Sequence, residues 1–328
     1  MSRPTSKPIL TATKLNDAIL GCFAHVKPSE TLDHLVRYLG TWSGSDKFFM
    51  VIQYAVKLIA PFLRLRARLQ HKAGLRQSPE SSGAAAYEKF GSVIGDSRTA
   101  WRIWGLLPIF QWLISLERSP PATRSLLTVE RLQGWSMLVY YPLEHLSYLV
   151  SHGILPSSFT SPFPLFSSGK RKPIKLDAGK LSLWSTRAWA VYVFLHFVHL
   201  WEDRKLLIAR GRALKKAKGG AGLSIEEKRD MGARWDAFWS EVVVNLGNLP
   251  LTIHWSLEQG IIKNDAWVGV FGLIAAVSSF RSGWKATALP TPPPPPPAPA
   301  PTEEKDIAIT EKVKDGVAAT VNGTGYEL

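Results

Sequence analysis

One stretch of the chain, residues 47–72, has the pattern of a helix that lies on a membrane. Its sequence is KFFMVIQYAVKLIAPFLRLRARLQHK, and it contains no acidic residue. Wound as an α-helix, it gathers its polar and basic side chains on one face. They are Gln53, Lys57, Arg64, Arg68 and His71. A wide apolar face beside a basic strip suits a layer of anionic lipid headgroups. We therefore predict an amphipathic helix over 47–72 that binds an anionic phospholipid membrane.

The charge of the whole chain also favours an acidic partner. The net charge is +14. Such a basic chain binds either phospholipid or nucleic acid. Thirteen tryptophans favour a membrane, because tryptophan concentrates at the headgroup level of a bilayer. The basic residues lie at the edges of apolar runs without a zinc knuckle or an RNA-binding aromatic motif, so we expect no nucleic-acid partner.

Further apolar runs predict helices throughout the chain. They cover residues 100–116, 134–151, 183–201 and 264–283. Only the last approaches the roughly 20 apolar residues that a membrane span needs. The first three are therefore expected to be embedded or packed helices. The predicted fold is all-α, a membrane-associated bundle of amphipathic and hydrophobic helices over residues 1–289.

The C-terminal part of this bundle is predicted to form a membrane hairpin over residues 241–283. Ser224 and Glu227 form a capping box that starts the helix leading into it. The segments 203–223, read as a loop, and 281–285 are both basic and flank the hairpin. Basic flanks remain in the cytosol, so we expect both termini to be cytosolic.

The composition changes abruptly at residue 290. The segment TPPPPPPAPAP is followed by a polar tail. Polyproline is extended and semi-rigid, and the remaining residues lack the apolar content of a core. Residues 290–328 are predicted to be a disordered, proline-rich tail. Its alternative role is a scaffold that recruits partners with aromatic-lined grooves.

Small residues repeat along the last apolar run at helical spacing. They allow helices to approach closely in lipid. These helix-packing residues are Gly269, Gly272, Ala276 and Ser279. A second interpretation makes the same helices the wall of an oligomeric pore for small solutes. Its polar lining would consist of Asn245, Asn248 and His254.

Motifs that would carry catalysis or bind a metal are not found in the sequence. Cys22 is the only cysteine, which excludes a disulfide framework and a cysteine metal site. No HExxH, GxSxG, Walker A, GxGxxG or kinase motif is present. The eight histidines are expected to pack as polar tips, because a metal site needs several converging ligands. We expect no enzyme, no metal and no cofactor.

Ten side chains of the helix over 47–72 are expected to bind lipid. The basic ones would face phosphates, and the apolar ones would enter the acyl region. They are Lys57, Arg64, Arg68, His71, Phe48, Ile52, Leu58, Ile59, Phe62 and Leu63.

Four stretches together resemble the peroxin-11 family of peroxisomal membrane proteins. The first is SGSDKFFMVIQYAVKLIAPFL, which contains the opening helix. The others are YYPLEHLSYLVSHGIL at 140–155, STRAWAVYVFLHFVHLWED at 185–203 and LPLTIHWSLEQG at 249–260. The resemblance covers most of residues 44–285. The basic segment 203–223 and the proline tail are not part of it.

The resemblance implies a protein of the peroxisomal membrane that elongates the membrane and promotes proliferation and fission. In such proteins an N-terminal amphipathic helix inserts into the cytosolic leaflet and tubulates it. The resemblance also implies a homo-oligomer that recruits fission adaptors and a dynamin-type GTPase. By position, the inserting helix is 47–72, and Lys57, Arg64 and Arg68 would face the lipid phosphates.

Overall fold

The computed structural model describes residue 16 and residues 19–159, 174–217, 219 and 222–289. Eight α-helices dominate these residues, and the all-α prediction is confirmed. They are α1 Glu30–Leu39, α2 Trp42–Lys72, α3 Ser82–Trp101, α4 Leu106–Arg118, α5 Arg124–Ser151, α6 Ala178–Ala217, α7 Ile225–Trp255 and α8 Asp265–Ala286. Two 3-10 turns, Cys22–His25 and Arg102–Gly105, and a short antiparallel pair, Ser158–Phe159 with Ile174–Lys175, complete the fold. The tail predicted over 290–328 lies outside the described residues.

Six of the helices form a closed ring. Around the ring the order is α3, α2, α8, α7, α6 and α5, and α5 packs back against α3. Helix α4 packs outside the ring on α5, and α1 packs on α2. The ring therefore encloses an interior to which all six helices contribute.

The opening helix begins five residues earlier than the sequence predicted. Its N-cap is Thr41, whose side-chain oxygen accepts a hydrogen bond from the Gly44 amide at 3.0 Å. Ser45 and Asp46, which precede the predicted start, lie inside the helix. The helix continues through Pro61 to Lys72, its predicted end.

Helices α2 and α8 are antiparallel and approach closely where α8 carries small residues. A Cβ atom added at Gly272 would lie 2.2 Å from the Tyr54 ring. One added at Gly269 would lie 2.8 Å from Leu58. Ala276 and Ser279, further along the same face, are buried. The small-residue face of α8 thus contacts the N-terminal half of α2.

The basic segment that the sequence treated as a loop is largely helical. Helix α6 continues to Ala217 and has 40 residues. Leucine, alanine, lysine and arginine dominate this segment, and all are strong helix formers. Helix α7 begins with the predicted capping box, in which the Ser224 side chain accepts from the Glu227 amide and the Glu227 carboxylate from the Ser224 amide.

The close contact at Gly272 generates a stability prediction. We expect Gly272→Ala to destabilise the fold by about 1–3 kcal/mol, because the added methyl group overlaps the Tyr54 ring. The matched control is Gly232→Ala in α7, where a Cβ meets nothing within 4 Å. The control should stabilise by about 0.5–1 kcal/mol, as alanine does in an exposed helix. Thermal unfolding of the full chain in detergent compares them, and equal melting temperatures would contradict the predicted contact.

Candidate membrane-interaction site

The polar side of the N-terminal half of α2 faces the inside of the ring and is bound there by α3. The Arg98 guanidinium of α3 donates to both carboxylate oxygens of Asp46 at 2.8 and 2.9 Å. It also donates to the Gln53 side-chain oxygen at 2.7 Å. The Arg98 and Asp46 side chains are only 12% and 17% exposed. Because removing one partner of a buried ion pair leaves the other uncompensated, this contact fixes α2 to α3.

Several residues expected to bind lipid lie within this packed half. Lys57 is partly buried. A Cβ atom added at Gly269 would lie 3.3 Å from the Lys57 Cβ atom. Its ammonium group lies 5.9 Å from the Tyr54 ring centroid. Leu58 also packs on Gly269, and Phe48 lies beside Phe280 of α8. Phe48, Ile52 and Leu58 are only partly exposed.

The C-terminal half of α2 has a different surface, with one apolar stripe open to the surroundings. Phe62, Leu65 and Leu69 are 65%, 55% and 58% exposed. Their spacing, i, i+3, i+7, places them on one helix face. We refer to these three residues as the tip stripe. Ile59, one turn earlier, is 39% exposed, whereas Leu63 is partly buried near Gly83 of α3.

Cations border the tip stripe on both sides. Arg66 follows Phe62 by one turn on one side, and Arg68 and Lys72 follow Leu65 and Leu69 by three residues on the other. All three are exposed, and we refer to them as the tip cations. Such side chains extend past the helix to keep their charges in the headgroup layer.

Two of the basic residues predicted to face lipid are engaged with the protein. Arg64 forms an exposed ion pair with Glu88 of α3. His71 contacts the carbonyl oxygen of Arg76 at 2.9 Å through Nδ1. Arg68 is exposed and borders the stripe.

Sequence reasoning missed four members of this surface. Leu65 and Leu69 belong to the apolar face, and Arg66 and Lys72 are basic, but none was assigned to the site. The helical wheel alone could have found them, since they surround Phe62 at helical spacing. The wheel does not show that Gln53 and Lys57 face other helices, and it places both on the same strip as Arg68.

The outer surface of the ring is unusually apolar. Eight of the thirteen tryptophans are exposed. They are Trp42, Trp101, Trp104, Trp135, Trp184, Trp201, Trp239 and Trp267. Exposed aliphatic residues continue between them on every helix of the ring. Large exposed apolar surfaces mark contact with a membrane or a protein, and the exposed tryptophans favour a membrane interface.

Within the described residues, two helices are long and apolar enough to cross a membrane. They are α2 and α8. In the most apolar 18-residue stretch of each helix, 17% of α2 and 33% of α8 is buried in the protein. Helix α7, which the sequence assigned to the other half of a membrane hairpin, packs against α8 but does not meet the same criterion.

Polar and charged side chains line a cavity inside the ring, beside a hydrophobic core that includes Tyr54, Leu251 and Val268. One cavity of about 260 Å³ is lined by Arg98, Arg102, Glu144, Asn245 and Asn248, among others. Arg102 donates to Glu144 at 2.8 Å, and the Tyr140 hydroxyl donates to the same carboxylate oxygen at 2.6 Å. His254, proposed as pore lining, instead accepts the amides of Ile261 and Ile262 at the α7–α8 turn.

A second cavity, of about 970 Å³, contains histidines and carboxylates. The rings of His196 and His199 stack with centroids 5.3 Å apart. His199 Nε2 lies 3.1 Å from Asp203, and His196 Nε2 lies 3.4 Å from Glu241. Burial raises the pKa of Glu130 in the same cavity. Across the described ranges, no group of three or more His, Cys, Asp or Glu side chains is placed to hold a metal ion.

Basic and acidic residues meet at one end of the ring. Arg210 of α6 donates to Asp230 of α7 at 3.1 Å. Asp236 pairs with Lys285 and Arg281 of α8. The hydrogen bond from Lys285 holds the pKa of Asp236 below its usual range. The two basic segments that the sequence placed on one side of the membrane therefore lie at the same end of the bundle.

This architecture defines a class of membrane-associated helical proteins: many exposed apolar side chains, polar cavities between the helices and one amphipathic helix with an exposed apolar stripe. The sequence model of the Peroxisomal biogenesis factor 11 (PEX11) family matches residues 32–284, and the chain belongs to this family. The resemblance inferred from four sequence stretches is thereby confirmed. The family acts in peroxisome biogenesis and proliferation at the membrane and is not known as a family of enzymes. No curated protein and no solved structure matched the chain.

Proposed function

We propose that this protein elongates and tubulates the peroxisomal membrane by inserting the C-terminal half of α2 into one leaflet. The observation that supports this proposal is the exposed tip stripe with cations on both sides. An exposed apolar surface of this kind is unfavourable in water and favourable at the headgroup–acyl boundary. The stripe belongs to the part of α2 that α8 does not cover, so it reaches lipid without unfolding the ring.

The proposed mechanism is wedging. The tip stripe enters roughly 5–10 Å into the headgroup–acyl boundary and expands that leaflet. Expanding the cytosolic leaflet relative to the lumenal one favours the convex curvature of a tubule. Each of the tip cations contributes about 1 kcal/mol of attraction to an anionic surface. The packed N-terminal half of α2 transmits this wedge to the rest of the bundle.

The wedge generates a prediction about liposome tubulation by the full chain. We expect the triple variant Phe62→Ser, Leu65→Ser, Leu69→Ser to lose tubulation of anionic liposomes. Each apolar side chain contributes up to about 1.5–3 kcal/mol when it is fully buried, so the loss in binding should be tenfold or more. Cosedimentation measures binding, and electron microscopy counts tubules.

The matched control removes an equal apolar surface elsewhere. Leu107, Phe110 and Ile114 of α4 are exposed to a similar degree. Their replacement by serine should leave tubulation unchanged. A charge variant carries Arg66→Glu, Arg68→Glu and Lys72→Glu. It should bind anionic liposomes more weakly than the wild type does, and its binding to zwitterionic liposomes should be unchanged. Equal tubulation by the stripe and control variants would contradict the wedge.

The packing also constrains topology. His34 of α1 contacts the Trp284 carbonyl oxygen at 3.0 Å, and Arg37 donates to the Thr287 carbonyl oxygen at 2.9 Å. Both ends of the described bundle, near residues 30 and 289, therefore lie together. Since α2 and α8 are antiparallel, the tip stripe lies at the opposite end. Cytosolic termini and a cytosolic wedge are compatible only if the α2–α8 pair lies along the membrane rather than across it.

Cysteine labelling on intact organelles tests this geometry. In a Cys22→Ser background, we expect Leu289→Cys and Arg68→Cys both to react with an impermeant thiol reagent added from the cytosolic side. Both positions are exposed, so protein burial does not block the reagent. Labelling at residue 68 only after permeabilisation would place the wedge in the lumenal leaflet and contradict elongation by cytosolic insertion.

A second candidate function, a pore for small solutes, is supported by the polar groups that line a cavity inside the ring. Asn245 is buried and Asn248 is half-buried, and both line the smaller cavity enclosed by the ring. We expect Asn248→Leu to lower the conductance of the full chain in planar bilayers, because it replaces a polar lining group by an apolar one. An unchanged conductance, or none in the wild type, would contradict the pore.

The proposed function also includes partners that the family resemblance implies. We propose that the protein forms homo-oligomers on the membrane and that fission adaptors and a dynamin-type GTPase act on the tubules it forms. The exposed apolar surface of the ring supports self-association within the bilayer.

A further inference from the structure

A groove between α5 and α6, remote in sequence from the α2 tip stripe, combines basic and apolar residues. Its volume is about 490 Å³, within the range of ligand pockets. Leu143 and Val139 of α5 line one wall, and Leu181, Ala188 and Val191 of α6 line the other. We refer to it as the α5–α6 groove. Most of its lining is apolar.

The entrance of the groove, at the start of α6, is basic. Lys175 and Lys180 line it with Asp177 as the acidic member, and Arg187 lines the groove two turns further along α6. The Asp177 carboxylate accepts the backbone amide of Lys180 at 3.1 Å and so caps the start of α6, where anions are stabilised. Its other oxygen lies 4.0 Å from the Lys180 ammonium group. Three cations against one carboxylate give the groove a net positive charge.

The basic end is fixed by the fold. Lys175 belongs to the short strand pair with Ser158, and the Leu176 amide donates to the Ser157 carbonyl oxygen at 2.7 Å. The Ser147 hydroxyl of α5 donates to the Ala178 carbonyl oxygen at 2.8 Å. These bonds tie the entrance of the groove to both of its helices.

Arg187 is oriented by two contacts within the protein. Its Nε donates to the Ser256 carbonyl oxygen at 3.1 Å, and its guanidinium lies 4.8 Å from the Trp184 ring centroid. The hydrogen bond to Ser256 uses Nε and does not involve the two terminal nitrogens of the guanidinium. A planar guanidinium held in this way is suited to an anionic oxygen pair such as a phosphate.

The apolar lining of the groove continues past its basic entrance. Lys180 and Val191 are eleven residues apart on α6, which corresponds to roughly 16 Å along the helix. Trp184, which is exposed, lies between the two ends, where an interfacial tryptophan is expected.

We propose that the α5–α6 groove binds one anionic phospholipid molecule. The phosphate lies among Lys175, Lys180 and Arg187, and an acyl chain lies against Leu143 and Val191. Charge complementarity selects an anionic lipid, and the apolar length beyond the cations selects a lipid over a soluble anion. This site holds a single lipid and does not depend on the wedge proposed for α2.

Native mass spectrometry of the detergent-purified full chain tests the proposal. The probes are dioleoyl phosphatidylserine and dioleoyl phosphatidylcholine at equal concentration. We expect one phosphatidylserine to be retained per chain in preference to phosphatidylcholine. Lys175→Glu with Lys180→Glu should weaken this binding by about tenfold or more. Val191→Gln, an uncharged change in an exposed residue, should weaken it about threefold by removing apolar contact.

A matched control reverses the charge of two exposed lysines on the same helix, with Lys215→Glu and Lys216→Glu. Retention of phosphatidylserine by this control supports a specific site. Equal losses in both charge variants, equal retention of the two lipids, or displacement by inorganic phosphate alone would overturn the proposal. The triple serine variant of the tip stripe should still retain the lipid, so failure of the wedge and failure of this site give different results.

Discussion

Helix α2 is held between α3 and α8, and these contacts set which of its surfaces a membrane can reach. On one side, Arg98 binds Asp46 and Gln53 through partly buried hydrogen bonds. On the other, Gly272 allows the Tyr54 ring to approach the α8 backbone. These contacts hold the first half of α2 inside the ring. The contacts with α8 end near Leu58, whereas α3 still covers one side of the second half at Leu63 and Arg64. Another side, which carries Phe62, Leu65 and Leu69, is left exposed.

The ring exposes many apolar side chains and encloses partly buried ion pairs between its helices. In water such an arrangement would be unfavourable, because exposed tryptophans and aliphatic residues gain nothing there while buried charges lose hydration. In a bilayer the outer surface is favourable, and the buried ion pairs compensate one another within the ring. Membership in the PEX11 family agrees with this physical argument.

Two proposed lipid contacts have different physical bases. The tip stripe is a convex helix surface. It contacts many lipids of one leaflet at once and pushes them apart. The α5–α6 groove is concave and carries oriented cations, which favours one headgroup. Phe62 and Leu65 therefore act by the area they expose, whereas Lys180 and Arg187 act by position. A protein that bends a membrane benefits from both, since a held lipid fixes its depth while the wedge acts.

The helical class, the capping box at Ser224 and the family could be predicted from the sequence, because they depend on local spacing and on short motifs. The amphipathic character of the opening helix could be predicted in the same way. Which face of that helix is exposed depends on the neighbouring helices in the folded chain. Lys57 and Gln53 share a strip with Arg68 on a helical wheel, yet α3 and α8 cover the first two and leave the third exposed. A helical wheel gives the angle of each side chain but does not include the neighbouring helices. Contacts with Gly269 or Arg98 therefore cannot be predicted from it.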